Sequence, residues 1–162
     1  MTARTATAYE PWSAVRANAL IAAHLGCDGP LLPILHDVMA TFGFIHAEAE
    51  PLIAQALNIS RAEVHGVVTF YHDFRREPAG RHVLRLCRAE ACQAAGGQTL
   101  AERAERLLGI GFGDTSADGS VTLEAVYCLG RCAPAPTAML DGRVVGRLDD
   151  ARLDALLAEA QT

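Results

Sequence analysis

No stretch of this 162-residue chain reaches the roughly 18 uninterrupted apolar residues that a membrane-spanning helix needs. Its opening residues, MTARTATAYEPWS, also lack the apolar run of an export signal. Direct membrane insertion is therefore not expected, and a cytoplasmic location is. There is no cluster of Lys and Arg, and the net charge is -5, so the chain has no electrostatic footprint for phosphate backbones. Nucleic acid is not an expected partner. A G-x-G-x-x-G fingerprint is missing too: Gly109, Gly111 and Gly113 alternate, but they follow a helical pattern and not a strand, which suggests a loop. Internal repeats and low-complexity segments are absent.

What the chain does contain is ordinary globular composition, 51% hydrophobic and 20% charged, enough for one core or two small ones. Five cysteines make an odd number, which fits reduced thiols with four on a metal better than it fits a secreted disulfide framework. Cys87-x4-Cys92 and Cys128-x3-Cys132 form two close pairs set far apart, and Cys27 is left over as a small semi-buried hydrophobe.

Residues 1–9 are small and polar without periodicity and read as a flexible tail. Residues 10–78 read as a helical bundle. A first helix runs from about Pro11 to Leu25, ahead of Gly26. A second carries Leu31, Leu35, Val38 and Phe42 on one face and stops at Gly43. A third, behind Pro51, would bury Leu52, Ile53, Ala56 and Leu57. The fourth opens with a capping box, Ser60 and Glu63, and would bury Val64, Val67, Val68 and Tyr71. The run VVTFY is also good strand composition, but the cap and the spacing favour helix.

Turn-forming residues at Glu77-Pro78-Ala79-Gly80 mark a boundary, and residues 79–162 change period. His82 to Cys87 reads as a strand. Leu100, Ala104, Leu107 and Leu108 mark a helix closed by Gly109, and Val121, Leu123, Ala125 and Tyr127 alternate as the face of a second strand. Thr137 to Leu140 and Arg143 to Leu148 flank Asp141-Gly142 as a hairpin. Leu153, Leu156, Leu157 and Ala160 line a closing helix capped by Asp149 or Asp150. The order β, α, β, β, α is a thioredoxin-like arrangement, so the expected class is α+β.

Both cysteine pairs would lie just past a strand, where a loop can fold over a cofactor on a fixed base. Thiolates bind iron–sulfur clusters and zinc alike, and a zinc site accepts these gaps. A thiol–disulfide pair is a further alternative, although neither pair is Cys-x-x-Cys. A [2Fe–2S] cluster with four thiolates has a formal charge of about minus two, which backbone N–H groups and cations offset. Arg88, Arg131 and the amides around Gly130 are candidates, and glycine at 130 would let the backbone approach sulfur. The histidines at 24, 36, 46, 65, 72 and 82 have no ligand spacing and read as packed or surface groups.

The run Cys128-Leu-Gly-Arg-Cys132 with its Ala-Pro, preceded by Cys-x4-Cys and by SRAEVHGVVTFY at 60–71, resembles the 24-kDa [2Fe–2S] family of NADH dehydrogenases. The resemblance covers nearly the whole chain after the tail. It implies a helical bundle followed by a thioredoxin-like [2Fe–2S] ferredoxin domain, with Cys87, Cys92, Cys128 and Cys132 as ligands. It further implies an electron carrier with no catalytic residues of its own, working beside a flavoprotein subunit that binds FMN and NAD. The loop Cys87-Arg-Ala-Glu-Ala-Cys92 and the run Tyr71-His-Asp-Phe-Arg75 are similar to the gamma subunit of soluble NAD-dependent molybdenum formate dehydrogenase, where respiratory members have a Thr-rich loop. That branch implies a molybdenum-containing catalytic subunit with further Fe–S clusters. The equivalent subunit of an NAD-linked hydrogenase or respiratory NADH:quinone oxidoreductase, and a zinc-stabilised adaptor, are the alternatives.

Overall fold

The computed structural model describes residues 9–161. These residues group into two compact units that part between Pro78 and Ala79, each with its own apolar core. The tail expected over residues 1–9 lies, Tyr9 excepted, outside the described residues.

The first unit contains four helices: α1 (Ala14–His24), α2 (Leu31–Phe42), α3 (Ala49–Leu57) and α4 (Arg61–Phe70). Helix α1 starts later than the expected Pro11 because Ser13 supplies the cap, its side chain accepting the Arg16 N–H. Gly43, at φ 79°, ends α2 in the left-handed conformation that relieves its last carbonyls. Helix α3 begins before Pro51, which therefore sits in the first turn, where its missing N–H has no intrahelical partner to lose. In α4 both halves of the capping box are present, and VVTFY is helical through Phe70. Ile34, Leu35, Val38, Ile53, Val64 and Val68 are at most 1% exposed. The expected faces were too wide at their edges: Ala56 and Tyr71 are exposed. Glu50 is buried instead, with both carboxylate oxygens 3.2 Å from Nδ1 of His65.

The second unit is a mixed four-stranded sheet in the order β2-β1-β3-β4, with β1 at His82–Cys87, β2 at Val121–Val126, β3 at Ala138–Leu140 and β4 at Arg143–Val145. Strands β1 and β2 are parallel, Leu84 facing Leu123, while β3 runs antiparallel to β1 and β4 to β3. Parallel neighbours need a crossover. The helices α5 (Glu90–Ala94) and α6 (Gly97–Leu108) lie on it, and α7 (Asp150–Ala160) closes the unit. The hairpin turns at Asp141 (φ 48°) and Gly142 (φ 86°), as a type I′ turn requires. Asp141 also ties the turn to β1, accepting the Val83 N–H at 2.9 Å and pairing with His82 Nδ1 at 2.6 Å. Strand β4 stops at Val145, short of the expected Leu148, and Arg147 turns the chain at φ 50° so that Leu148 enters the core. Leu107 and Tyr127, expected inside, are exposed: α6 buries the stripe Leu100, Ala101 and Ala104, and Tyr127 follows the end of β2. The fold is α+β, and among the described residues no helix is long and apolar enough to cross a membrane.

Candidate metal centre

The end of β1 and the loops leaving β1 and β2 carry the four paired cysteines. Cys87 is the last residue of β1, and Cys92 lies in α5; they are 5% and 2% exposed. Cys128 and Cys132 lie beyond β2 and are exposed. The inner pair is thus built into a strand and a helix, where the sequence suggested a loop past a strand. Helix α5, five residues long, is too short to show a 3.6-residue period. Its packing depends on Gly97, where a Cβ would lie 2.6 Å from the Cys92 carbonyl oxygen.

In the outer loop Cys128 has φ 156° and Gly130 φ 71°. The Gly130 N–H donates to Cys128 Sγ at 3.2 Å. The backbone approaches sulfur here as the sequence suggested, and since a Cβ at 130 would meet nothing within 4 Å, what calls for glycine is the left-handed backbone that aims the amide.

Electrostatics tie the four sulfurs together. Burial opposes ionisation of Cys87, but the Ala89 amide, the side chains of Cys92 and Thr137, and the Leu129 amide outweigh it and hold the thiol below its usual range. Cys132 is pushed up, first by its hydrogen bond with Cys128, then by the negative charge of Cys128, by burial, and by the charges of Cys92 and Cys87. Excess negative charge at this place favours a cation. Of the cations proposed from sequence, Arg88 is engaged elsewhere, over the Phe112 ring at 4.9 Å and donating to Gln98 Oε1 at 2.8 Å. Arg131 is exposed. Backbone amides and a hydroxyl, Thr137 Oγ1 at 3.5 Å from Cys92 Sγ, are the groups that face sulfur. Ala89, Gly97 and Thr137 were missed by sequence reasoning, Thr137 because a contact made across the fold leaves no local pattern, while the Leu129 amide is among those expected around Gly130.

The spacing of the outer pair suits a tetrahedral metal. Two thiolates about 2.3 Å from one tetrahedral metal lie roughly 3.8 Å apart, and Cys128 Sγ and Cys132 Sγ are 4.0 Å apart. A sulfide-bridged iron pair takes its thiolates two at each end, as these cysteines are grouped. The other candidates stand apart in role: Cys27 is exposed between α1 and α2, His24 pairs with Asp37 at 2.6 Å, and His46 stacks on Trp12.

Residues 17–161 match the thioredoxin-like [2Fe–2S] ferredoxin family. The chain is 41% identical over 99 residues to an NADH-quinone oxidoreductase subunit of Pseudomonas aeruginosa, a match that covers 61% of this chain and 60% of that protein. It is 39% identical over 127 residues to an NADH-quinone oxidoreductase subunit of Rhizobium meliloti, covering 78% and 76% of the two. It is 30% identical over 132 residues to the HndA subunit of the NADP-reducing hydrogenase of Solidesulfovibrio fructosivorans, covering 82% and 77%. Among solved structures, an NAD⁺-reducing [NiFe]-hydrogenase in the air-oxidised state superposes with a TM-score of 0.67 at 28% identity, over 81% of this chain and 22% of its own. The chain therefore spans 60% of the Pseudomonas protein and less than a quarter of the hydrogenase chain.

Proposed function

Since the chain belongs to the thioredoxin-like [2Fe–2S] ferredoxin family, we propose that it is the electron-transfer subunit of an NAD-linked oxidoreductase, with Cys87, Cys92, Cys128 and Cys132 as the four cluster ligands. The observation that carries this reading is the grouping of the thiols into two pairs with one tetrahedral spacing, 4.0 Å, within the outer pair. When bound, the cluster supplies one-electron chemistry, iron passing between ferric and ferrous with its ligands unchanged. The chain's own residues hold and insulate it. Cys87 and Cys92 are kept from water by the sheet and α5, and the amides of Ala89, Leu129 and Gly130 point at sulfur and offset its negative charge. Hydride transfer with NAD would fall to a partner flavoprotein with FMN, this chain passing single electrons to or from it.

Within that class, the loop Cys87-Arg-Ala-Glu-Ala-Cys92 favours a cytoplasmic NAD-dependent formate dehydrogenase, whose molybdenum subunit would oxidise formate. The second reading, the equivalent subunit of a hydrogenase or respiratory enzyme, is favoured by the three relatives named above, which are of those two kinds. The units 10–78 and 79–162 would then act as a docking bundle and a cluster-bearing domain.

Iron and acid-labile sulfide analysis with low-temperature EPR of the dithionite-reduced protein tests the assignment. About two irons and two sulfides per chain are expected, with the signal lost or altered in Cys87→Ser, Cys92→Ser, Cys128→Ser and Cys132→Ser and unchanged in Cys27→Ser. Zinc without sulfide would refute it. Molybdenum or nickel in the co-purified complex separates the two branches.

A further inference from the structure

The hydroxyl of Thr137 faces sulfur from the interior. Thr137 is 2% exposed and precedes β3. Its carbonyl accepts the Cys87 N–H at 3.0 Å, and its Oγ1 lies 3.5 Å from Cys92 Sγ, within hydrogen-bond reach of a sulfur. One residue thus holds both cysteines of the inner pair, the Cys87 amide by its backbone and the Cys92 sulfur by its side chain.

The other buried polar residues have oxygen or nitrogen partners. Glu50 faces His65, Ser120 donates to Asp118, and Thr122 meets both Thr115 and the Gly80 amide. At Thr137 the partner is sulfur. A thiolate on iron has no proton to give, so the hydroxyl must be the donor in a hydrogen bond to Cys92. Such a donor draws electron density from the ligand and stabilises whichever state carries more negative charge there. Reduction adds one electron and takes one ferric iron to ferrous, so the reduced state gains more from the bond than the oxidised state.

We propose that Thr137 is a positioning residue for the inner pair, whose hydroxyl donates to the Cys92 thiolate and raises the reduction potential of the bound [2Fe–2S] cluster. This rests on the ligand assignment above.

The test is a dye-mediated redox titration of the full chain carrying its cluster, with dithionite as the one-electron source and EPR and visible absorbance as readouts. Thr137→Val keeps the shape and removes the donor, and should lower the ratio of reduced to oxidised cluster at a fixed potential about tenfold, 59 mV for one electron. Thr137→Ser keeps the hydroxyl and should stay within about twofold of the wild type on the same scale. If Thr137→Val fails to assemble a cluster, Thr137→Ala must show the same fall, and loss of the cluster in both with retention in Thr137→Ser supports the same role. A Thr137→Val protein that titrates like the wild type overturns the inference, as does a serine variant that shifts as far as valine or loss of the cluster in all three. A wild-type chain that binds no cluster overturns the ligand assignment and this inference with it, whereas a wild-type cluster with an unshifted valine variant overturns this inference alone.

Discussion

One added methyl group should destabilise the protein at Gly97 and stabilise it at Gly66. Gly66 lies inside α4, and a Cβ there would meet nothing within 4 Å. Alanine at that position recovers helix propensity, roughly 1 kcal/mol. At Gly97 the same methyl would stand 2.6 Å from the carbonyl oxygen of Cys92 and 3.0 Å from its carbon. Both are backbone atoms and cannot rotate aside, so α6 or α5 must shift, and overpacking of this kind costs about 1–3 kcal/mol. The opposing gain is small because Gly97 is the first residue of α6, where the helix ladder is incomplete. The net expectation is a gain of about 1 kcal/mol for Gly66→Ala and a loss of about 1–2 kcal/mol for Gly97→Ala. In thermal unfolding followed by circular dichroism, each kcal/mol moves the midpoint by roughly 4–8 °C for a unit of this size. Gly97→Ala should also lower the iron bound per chain, since the atom displaced belongs to Cys92 itself. A Gly97→Ala protein as stable as the wild type, or a destabilised Gly66→Ala protein, would show that the close approach does not govern this junction.

Acid should expose the turn before β2. The Asp118 carboxyl is held down at about 2, from an ordinary 3.8, by the Ser116 hydroxyl and by the amide and hydroxyl of Ser120. A lowered native pKa stabilises the fold above the ordinary value and loses that contribution as pH falls through about 2. Asp118→Asn should therefore flatten the fall of the melting temperature between those two pH values, and an unchanged slope would argue against the reasoning. At the start of α4, Ser60→Ala removes the acceptor of the Glu63 N–H at 3.2 Å and should cost about 0.5–2 kcal/mol, read as a lower urea midpoint at constant slope. No change in the midpoint would mean that the capping box contributes nothing.

Elements whose signals are local were legible in the sequence. Helix α2 could be read from Leu31, Leu35, Val38 and Phe42 with Gly43 behind them, and α7 from Leu153, Leu156, Leu157 and Ala160, because periodicity and caps lie within one turn of each other. The capping box decided VVTFY, where composition alone pulled toward strand. Periodicity identifies a face but not where burial ends, so Leu107, Tyr71 and Tyr127 were placed inside and lie outside. The central place of β1 arises from pairing across the chain, and the Thr137 hydroxyl reaches Cys92 over 45 residues of sequence. No short window holds either. The cysteine pairs were visible as spacing; their division into a buried and an exposed couple was not.

That division governs how the chain meets an oxidant when it carries no metal. Peroxide reaches Cys128 and Cys132 first, since Cys87 and Cys92 are shielded. The outer sulfurs stand 4.0 Å apart on a loop, so a sulfenic acid formed on one has a thiol beside it and condenses to a disulfide, which a small thiol can reopen. Injury is taken where it can be undone without disturbing the sheet, and the inner couple, whose loss would require rebuilding a strand end and a helix, stays out of reach.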